Sequence, residues 1–218
     1  MPDNLYYKTV TPLLLDILKT LMVTKEFDAF RLAGGTALSL YKGHRLSVDI
    51  DLFTDAEYGT IDFLAITNFL EKTYGYVDSS KDDIIGLGKS YFVGNTKDEC
   101  IKLDVYYSTD NFIDDVQYID GIRLASAEDI IAMKLDVVSR GGRKKDFWDL
   151  HELKDEYTID EMFALHLKKH EYTHNRELIR NNFTKFENAD EDFDPYCLKN
   201  KTWEIIKLDL IDYIKGLS

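Results

Sequence analysis

The 218 residues suffice for one α/β domain, or a small α/β core with a helical annex, and are too few for two full enzyme domains. Hydrophobic residues at 44% with 13% aromatics can fill a core, which excludes global disorder. Twenty-seven Lys and Arg against 40 Asp and Glu leave a net charge of −13, which repels a polyanion at long range, so any nucleic-acid contact has to be local.

Residues 11–23 carry Leu14, Ile17, Leu18, Leu21 and Met22 at helical spacing behind Thr11-Pro12, an N-cap followed by Pro at the first helical position. An amphipathic helix is predicted there. Residues 30–33 form a short apolar run ending in Gly34-Gly35, after which Thr36-Ala37-Leu38-Ser39-Leu40-Tyr41 resumes a helical pattern, giving strand, glycine turn and helix. Residues 48–53 alternate strictly: Val48, Ile50 and Leu52 fall on one face, Asp49, Asp51 and Phe53 on the other. A helix is predicted over 61–74, followed by a β-hairpin with arms at 84–93 and 101–107. In the second arm Lys102, Asp104 and Tyr106 share a face. Past Gly121 the texture changes. Ser126-Ala127-Glu128-Asp129 is a capping signature, and 130–138, 147–153, 159–167 and 203–214 read as helices. A boundary near residue 125 is expected, without a flexible linker. No apolar stretch approaches the roughly 18 residues of a membrane span. Cys100 and Cys197 form no metal-type spacing, and the N-terminus has no apolar signal core, so a cytoplasmic protein is expected.

Gly34-Gly35-Thr36, ending a strand and opening a helix, offers unobstructed backbone N–H groups at a positive helix terminus, a favourable place for phosphate oxygens. Asp49 and Asp51 point their carboxylates the same way, and two such charges repel unless a cation neutralises them. Hard oxygen ligands with open positions suit Mg²⁺, which completes its shell with water and substrate phosphates. The bland alternative is a solvent face on which the pair is matched by Arg45 or Lys42. Asp104 tips the balance, because a third strand-borne carboxylate is what a two-metal phosphoryl-transfer site requires. One ion would clamp the pyrophosphate side. The other would lower the pKa of the attacking hydroxyl, with Asp104 bridging that ion or accepting the proton.

Gly34-Gly35-Thr36-Ala37-Leu38, then His44-Arg45-Leu46-Ser47-Val48-Asp49-Ile50-Asp51-Leu52-Phe53, then Lys102-Leu103-Asp104, resembles the polymerase-β-type nucleotidyltransferase superfamily. The phrasing of the second block most resembles the AbiEii/AbiGii abortive-infection toxins, as does Lys134-Leu135, Arg140 and Lys145-Asp146 with Asp149-Leu150 further on. The resemblance covers residues 30–153. It implies an α+β fold: a small mixed β-sheet nucleotidyltransferase core flanked by helices over 1–125, and a mostly α-helical region over 126–218 packed on it. It implies transfer of a nucleoside monophosphate from an NTP to an acceptor, with release of pyrophosphate and two Mg²⁺ ions held by Asp49, Asp51 and Asp104. An acceptor such as the 3′ end of a tRNA fits the family, as do a bacterial source, phage defence and a cognate antitoxin on a separate chain. Lys134 is implied to stabilise charge on the triphosphate, and Asp146 to orient it or act as base. Gly34, Gly35, Thr36, Arg45 and Ser47 are the implied phosphate-binding residues. Gly35 stands where many superfamily members have Ser, and Thr36 or Ser47 is a substitute hydroxyl. Arg45 either reaches a phosphate or pairs with Asp49 or Asp55, while His44 braces the turn.

Arg140, Arg143, Lys144 and Lys145 around Gly141-Gly142 form the dense basic cluster of an acidic chain, placed to steer an NTP or an RNA end, or merely solvated. His166, His170 and His174 recur every four residues; without a fourth ligand they are expected to form a surface stripe rather than a zinc site. Asp190, Asp192 and Asp194 resemble the start of an EF-hand loop, but Pro195 occupies the glycine position. Trp148 and Trp203 are expected in the core. Two rival functions share the motifs: a small-molecule nucleotidyltransferase of the antibiotic-modifying kind, which the acidic charge favours, and a catalytically silent nucleotide-binding module.

Overall fold

The computed structural model describes residues 4–79 and 86–216. In chain order the elements are α1 (Pro12–Met22), β1 (Arg31–Leu32), α2 (Gly34–Lys42), β2 (Asp49–Thr54), α3 (Phe63–Thr73), β3 (Tyr76–Ser79), β4 (Gly88–Thr96), β5 (Glu99–Tyr107), β6 (Gln117–Ile119) and β7 (Ile122–Leu124). Helices follow: α4 (Ala127–Ser139), α5 (Lys144–Leu153), α6 (Ile159–Lys169), α7 (Arg176–Asn182), α8 (Glu187–Asp190) and α9 (Trp203–Ile214). The fold is therefore α+β, as expected. Of the predicted first hairpin arm, residues 84 and 85 lie outside the described residues. None of the described helices is long and apolar enough to cross a membrane.

The strands form one mixed sheet in the order β3-β4-β5-β2-β1-β7-β6. β2 runs parallel to β5 and β1 parallel to β7, while the other pairs are antiparallel. Period-two alternation separates the two faces of the central strands. Ile50, Leu52, Leu103 and Val105 are fully buried, whereas Asp49, Asp51, Phe53, Lys102, Asp104 and Tyr106 alternate with them and remain partly exposed. α1 packs against β2, β5 and β7, and α3 against β3 and β4. The N-cap of α1 is the expected one: Thr11 accepts from the Leu14 N–H, with Pro12 at the first helical position. Ser126 likewise caps α4 by accepting from the Asp129 N–H at 3.0 Å.

Buried residues on both sides of residue 125 belong to one hydrophobic cluster. α4 and α5 pack on α2, and Arg123 ties β7 to the chain before β1, donating to the carbonyls of Met22, Phe27 and Phe30. Trp148 and Trp203 stack in the core with ring centroids 6.4 Å apart. Asp192 and Asp194 take up no ion-loop geometry. Asp192 accepts from the backbone N–H of Lys144 at the start of α5, and Asp194 pairs with the Lys144 ammonium at 2.9 Å.

The histidines depart from the expected surface stripe. His166 and His170 are buried, because α6 packs its inner face on α4 instead of presenting it to water. His166 Nδ1 lies 3.0 Å from His174 Nδ1, and His170 Nδ1 is 2.7 Å from Asp110. Burial and the two neighbouring imidazoles push the His166 pKa down to about 4, so it is neutral at physiological pH.

Candidate active site

The site is built where β1 ends, α2 begins and β2 runs beside them. Gly34 has φ of +65°, which a side chain rarely adopts, and a Cβ there would stand 2.8 Å from Asp51 Oδ2. The next position, Gly35, lies so close to the Arg45 guanidinium that a Cβ would collide with it. The double glycine thus serves two contacts: the first residue admits the Asp51 carboxylate, the second admits Arg45. Replacing Gly34 with Ala is expected to cost about 1–2 kcal/mol from the left-handed backbone. Because Asp51 is displaced as well, turnover is expected to fall roughly a hundredfold. Thermal unfolding read beside initial rates separates the two effects.

Asp49 and Asp51 project into a cleft of about 160 Å³ together with Gly34, Gly35, Arg45 and Ser47 from the core, and Lys134, Arg143, Lys145 and Asp146 from α4 and α5. Phe53, Met133 and Val137 form its apolar wall. Burial pushes the Asp51 pKa up to about 6, with repulsion from Asp104 and Asp49 adding to it and Lys134 and Lys145 opposing it. Asp104 stands directly opposite Asp51 in the parallel register of β2 and β5, on the same sheet face. Its carboxylate is engaged, accepting from Ser90 Oγ at 2.6 Å and pairing with Lys102 at 2.5 Å. It does not line the cleft beside the other two. Among the described residues no three His, Cys, Asp or Glu side chains are gathered to hold an ion. Asp49 and Asp51 do fit a divalent cation that completes its shell with substrate phosphates, since their mutual repulsion is what such an ion would relieve.

The second half of the site is a buried ion network. Asp149, fully buried, accepts from Arg45 Nε at 2.7 Å, Arg45 Nη2 at 2.8 Å and Lys134 Nζ at 2.7 Å, with His44 Nε2 at 2.8 Å. Burial opposes its charge, yet Arg45 and Lys134 hold its pKa well below the ordinary carboxylate range. Lys134 also donates to Asp146 Oδ1 at 2.6 Å. Burial opposes the Lys134 charge too, but Asp149 and Asp146 keep its pKa above the usual lysine value. Asp146 is also set at the positive N-terminus of α5, where it accepts from the Arg143 N–H at 3.1 Å.

Several sequence expectations meet different partners. Arg45 is paired with Asp149, not Asp49 or Asp55; Asp55 lies 3.9 Å from Arg31, and Lys42 binds Glu156. Lys134 is buried between two aspartates, since α5 folds its Asp146 and Asp149 onto α4. Thr36 is buried and does not line the cleft; its hydroxyl donates to the Asp49 carbonyl and is 2.7 Å from Ser47 Oγ. His44 does brace the turn, through Asp149 and by its carbonyl accepting from Leu198 N–H. Sequence reasoning assigned no role to Asp149, although its spacing of three from Asp146 places both on one helical turn.

A mixed sheet with a glycine elbow over paired aspartates defines the nucleotidyltransferase class of folds. The family model of nucleotidyl transferase AbiEii toxins, of type IV toxin–antitoxin systems, matches residues 16–212, and the chain belongs to that family. It is 31% identical over 197 residues to an uncharacterized protein of Aquifex aeolicus, spanning 86% of this chain and 89% of that one. Its fold is similar to that of JHP933 from Helicobacter pylori, with a TM-score of 0.59 and 22% identity over 94% of this chain and 88% of that one. It is also similar to the nucleotidyltransferase toxin MenT4 of Mycobacterium tuberculosis, with a TM-score of 0.54 and 16% identity over 94% and 84% of the two chains.

Proposed function

We propose that this nucleotidyltransferase moves a nucleoside monophosphate from an NTP to an acceptor hydroxyl, with Mg²⁺ on Asp49 and Asp51, as the toxin of a toxin–antitoxin pair. The observation carrying this reading is the Asp49/Asp51 pair beneath the Gly34-Gly35 helix start, with Asp104 in register one strand away. When bound, the cation would supply Lewis-acid stabilisation of the phosphate charge. The chain's own residues do the rest. Backbone N–H groups at the start of α2 and the basic side chains Arg143 and Lys145 present donors to triphosphate oxygens. Lys134, locked by Asp146 and Asp149, contributes fixed positive potential and no motion. A cleft of about 160 Å³ is small against the roughly 300–1,000 Å³ of pockets that enclose a ligand, so the triphosphate enters and the base lies toward Phe53 and the rim. Asp104, in register with Asp51 one strand away, is assigned to the acceptor side, where once released from Lys102 it would hold a second cation or take the hydroxyl proton.

The acceptor proposed is a tRNA 3′ end, and a cognate antitoxin is the protein partner. Incubation with each α-labelled NTP, against total tRNA in one arm and aminoglycosides and lincosamides in the other, tests the reading. Label on tRNA that requires Asp51 supports it. Label only on the small molecules replaces the acceptor, and label on neither removes the proposal.

A further inference from the structure

Both outer members of the carboxylate row carry a lysine. Lys145 Nζ lies 3.5 Å from Asp49 Oδ2, and Lys102 Nζ lies 2.5 Å from Asp104 Oδ2. Among the described residues no lysine is hydrogen-bonded to Asp51, which lies between them, and its charge is opposed by both neighbours. The two lysines differ from Lys134 in a decisive respect. Lys134 is locked between two buried aspartates with a side chain 7% exposed, while the side chains of Lys145 and Lys102 are 36% and 40% exposed. Long exposed side chains exchange partners readily, and such pairs contribute little to stability. Their ammoniums rest on the oxygens that a hard divalent cation would take, so an arriving cation and the lysine compete for one carboxylate.

We propose that Lys145 and Lys102 are displaceable counter-ions of this row, each yielding its aspartate to a divalent cation, and that displaced Lys145 then binds triphosphate oxygens. Lys145 lines the same cleft as Arg143, at the start of α5, which points it toward the nucleotide. Lys102 lies beyond Asp104 on β5, in register with Asp49 on one side and Phe92 on the other, away from that cleft. Its displacement therefore frees Asp104 for a cation on the acceptor side. The inference rests on the reading of Asp49, Asp51 and Asp104 as cation ligands.

The sign of the effect separates this role from ordinary phosphate binding. A lysine that binds phosphate without touching these carboxylates changes metal affinity little when removed, whereas a counter-ion in contact with one weakens metal binding while present. Manganese binding without nucleotide, read by the loss of free Mn²⁺ signal in electron paramagnetic resonance, is the first measurement. Lys145→Gln and Lys102→Gln are each expected to tighten Mn²⁺ about three- to tenfold. The second measurement is calorimetric binding of inorganic triphosphate in saturating Mn²⁺. Lys145→Gln is expected to weaken it about tenfold, and Lys102→Gln to leave it within about twofold. Thermal melts confirm that both variants fold. Mn²⁺ affinity unchanged or weakened in both variants overturns the proposal, as does triphosphate binding unaffected by Lys145→Gln. If the wild type shows no Mn²⁺ binding that depends on Asp51, the cation reading of the site itself fails, and that result is distinct from either.

Discussion

Asp149→Asn is expected to lower the unfolding free energy by about 3–5 kcal/mol, because it leaves buried cations without their counter-charge. Asp149 is 0% exposed and receives Arg45 through two bonds, Lys134 through a third and His44 through a fourth. An Asn keeps the volume but removes the charge and turns one acceptor into a donor aimed at a guanidinium or an ammonium. Lys42→Gln is the contrast. Its partner Glu156 has a side chain 53% exposed, and the loss should stay below about 1 kcal/mol. Urea unfolding followed by the fluorescence of buried Trp148 and Trp203 measures both. The pH dependence has a fixed sign. The folded pKa of Asp149 is depressed, so its contribution is complete above the ordinary carboxylate value of 3.8 and is lost as pH falls through the folded value far below it. Wild type and variant should therefore differ undiminished from pH 8 down to about 4. A difference under 1 kcal/mol at pH 7 would mean that Arg45 and Lys134 find other partners.

The same network shows which parts of the site were legible in the sequence. Periodicity placed Asp49 and Asp51 on one face because a strand has only two faces, and a period of two decides between them. It likewise put Lys102, Asp104 and Tyr106 together, and the parallel pairing of β2 with β5 set Asp104 opposite Asp51. The glycine elbow was readable as a turn, but not the reason for its second glycine, which is the approach of Arg45 from ten residues later. Arg45 had three carboxylates within plausible reach in sequence. Its partner came from more than 100 residues away, a pairing that no local pattern encodes. The histidines were misplaced for a related reason: spacing of four defines a helical stripe, but what covers the stripe depends on how α6 meets α4. Short strands such as β6 and β7, three residues each, fell below the length at which alternation can be recognised.

Asp51→Asn is expected to abolish nucleotidyl transfer, by a factor of about 10³ or more, and at the same time to stabilise the protein when no divalent cation is added. The two effects share one cause. Asp51 is ionised in a row of carboxylates, with its pKa pushed up to about 6 by burial and by Asp104 and Asp49. A group whose folded pKa lies above its unfolded value binds its proton more tightly in the native state. Stability therefore falls as pH rises from the ordinary 3.8 toward about 6, and stays at the lower level above that. Asn carries no charge to repel, so the variant should gain about 1–2 kcal/mol at pH 8 and almost nothing at pH 4, allowing for screening in the open cleft. Divalent cations should reverse the order, raising the wild-type melting temperature while leaving Asp51→Asn unmoved, since binding to the native state alone stabilises it. The active protein would then accept a less stable cleft in return for a high affinity toward a doubly charged ion. If the variant is as unstable as the wild type at pH 8 and responds equally to the ion, the carboxylate row does not store this repulsion, and the cation has its site elsewhere.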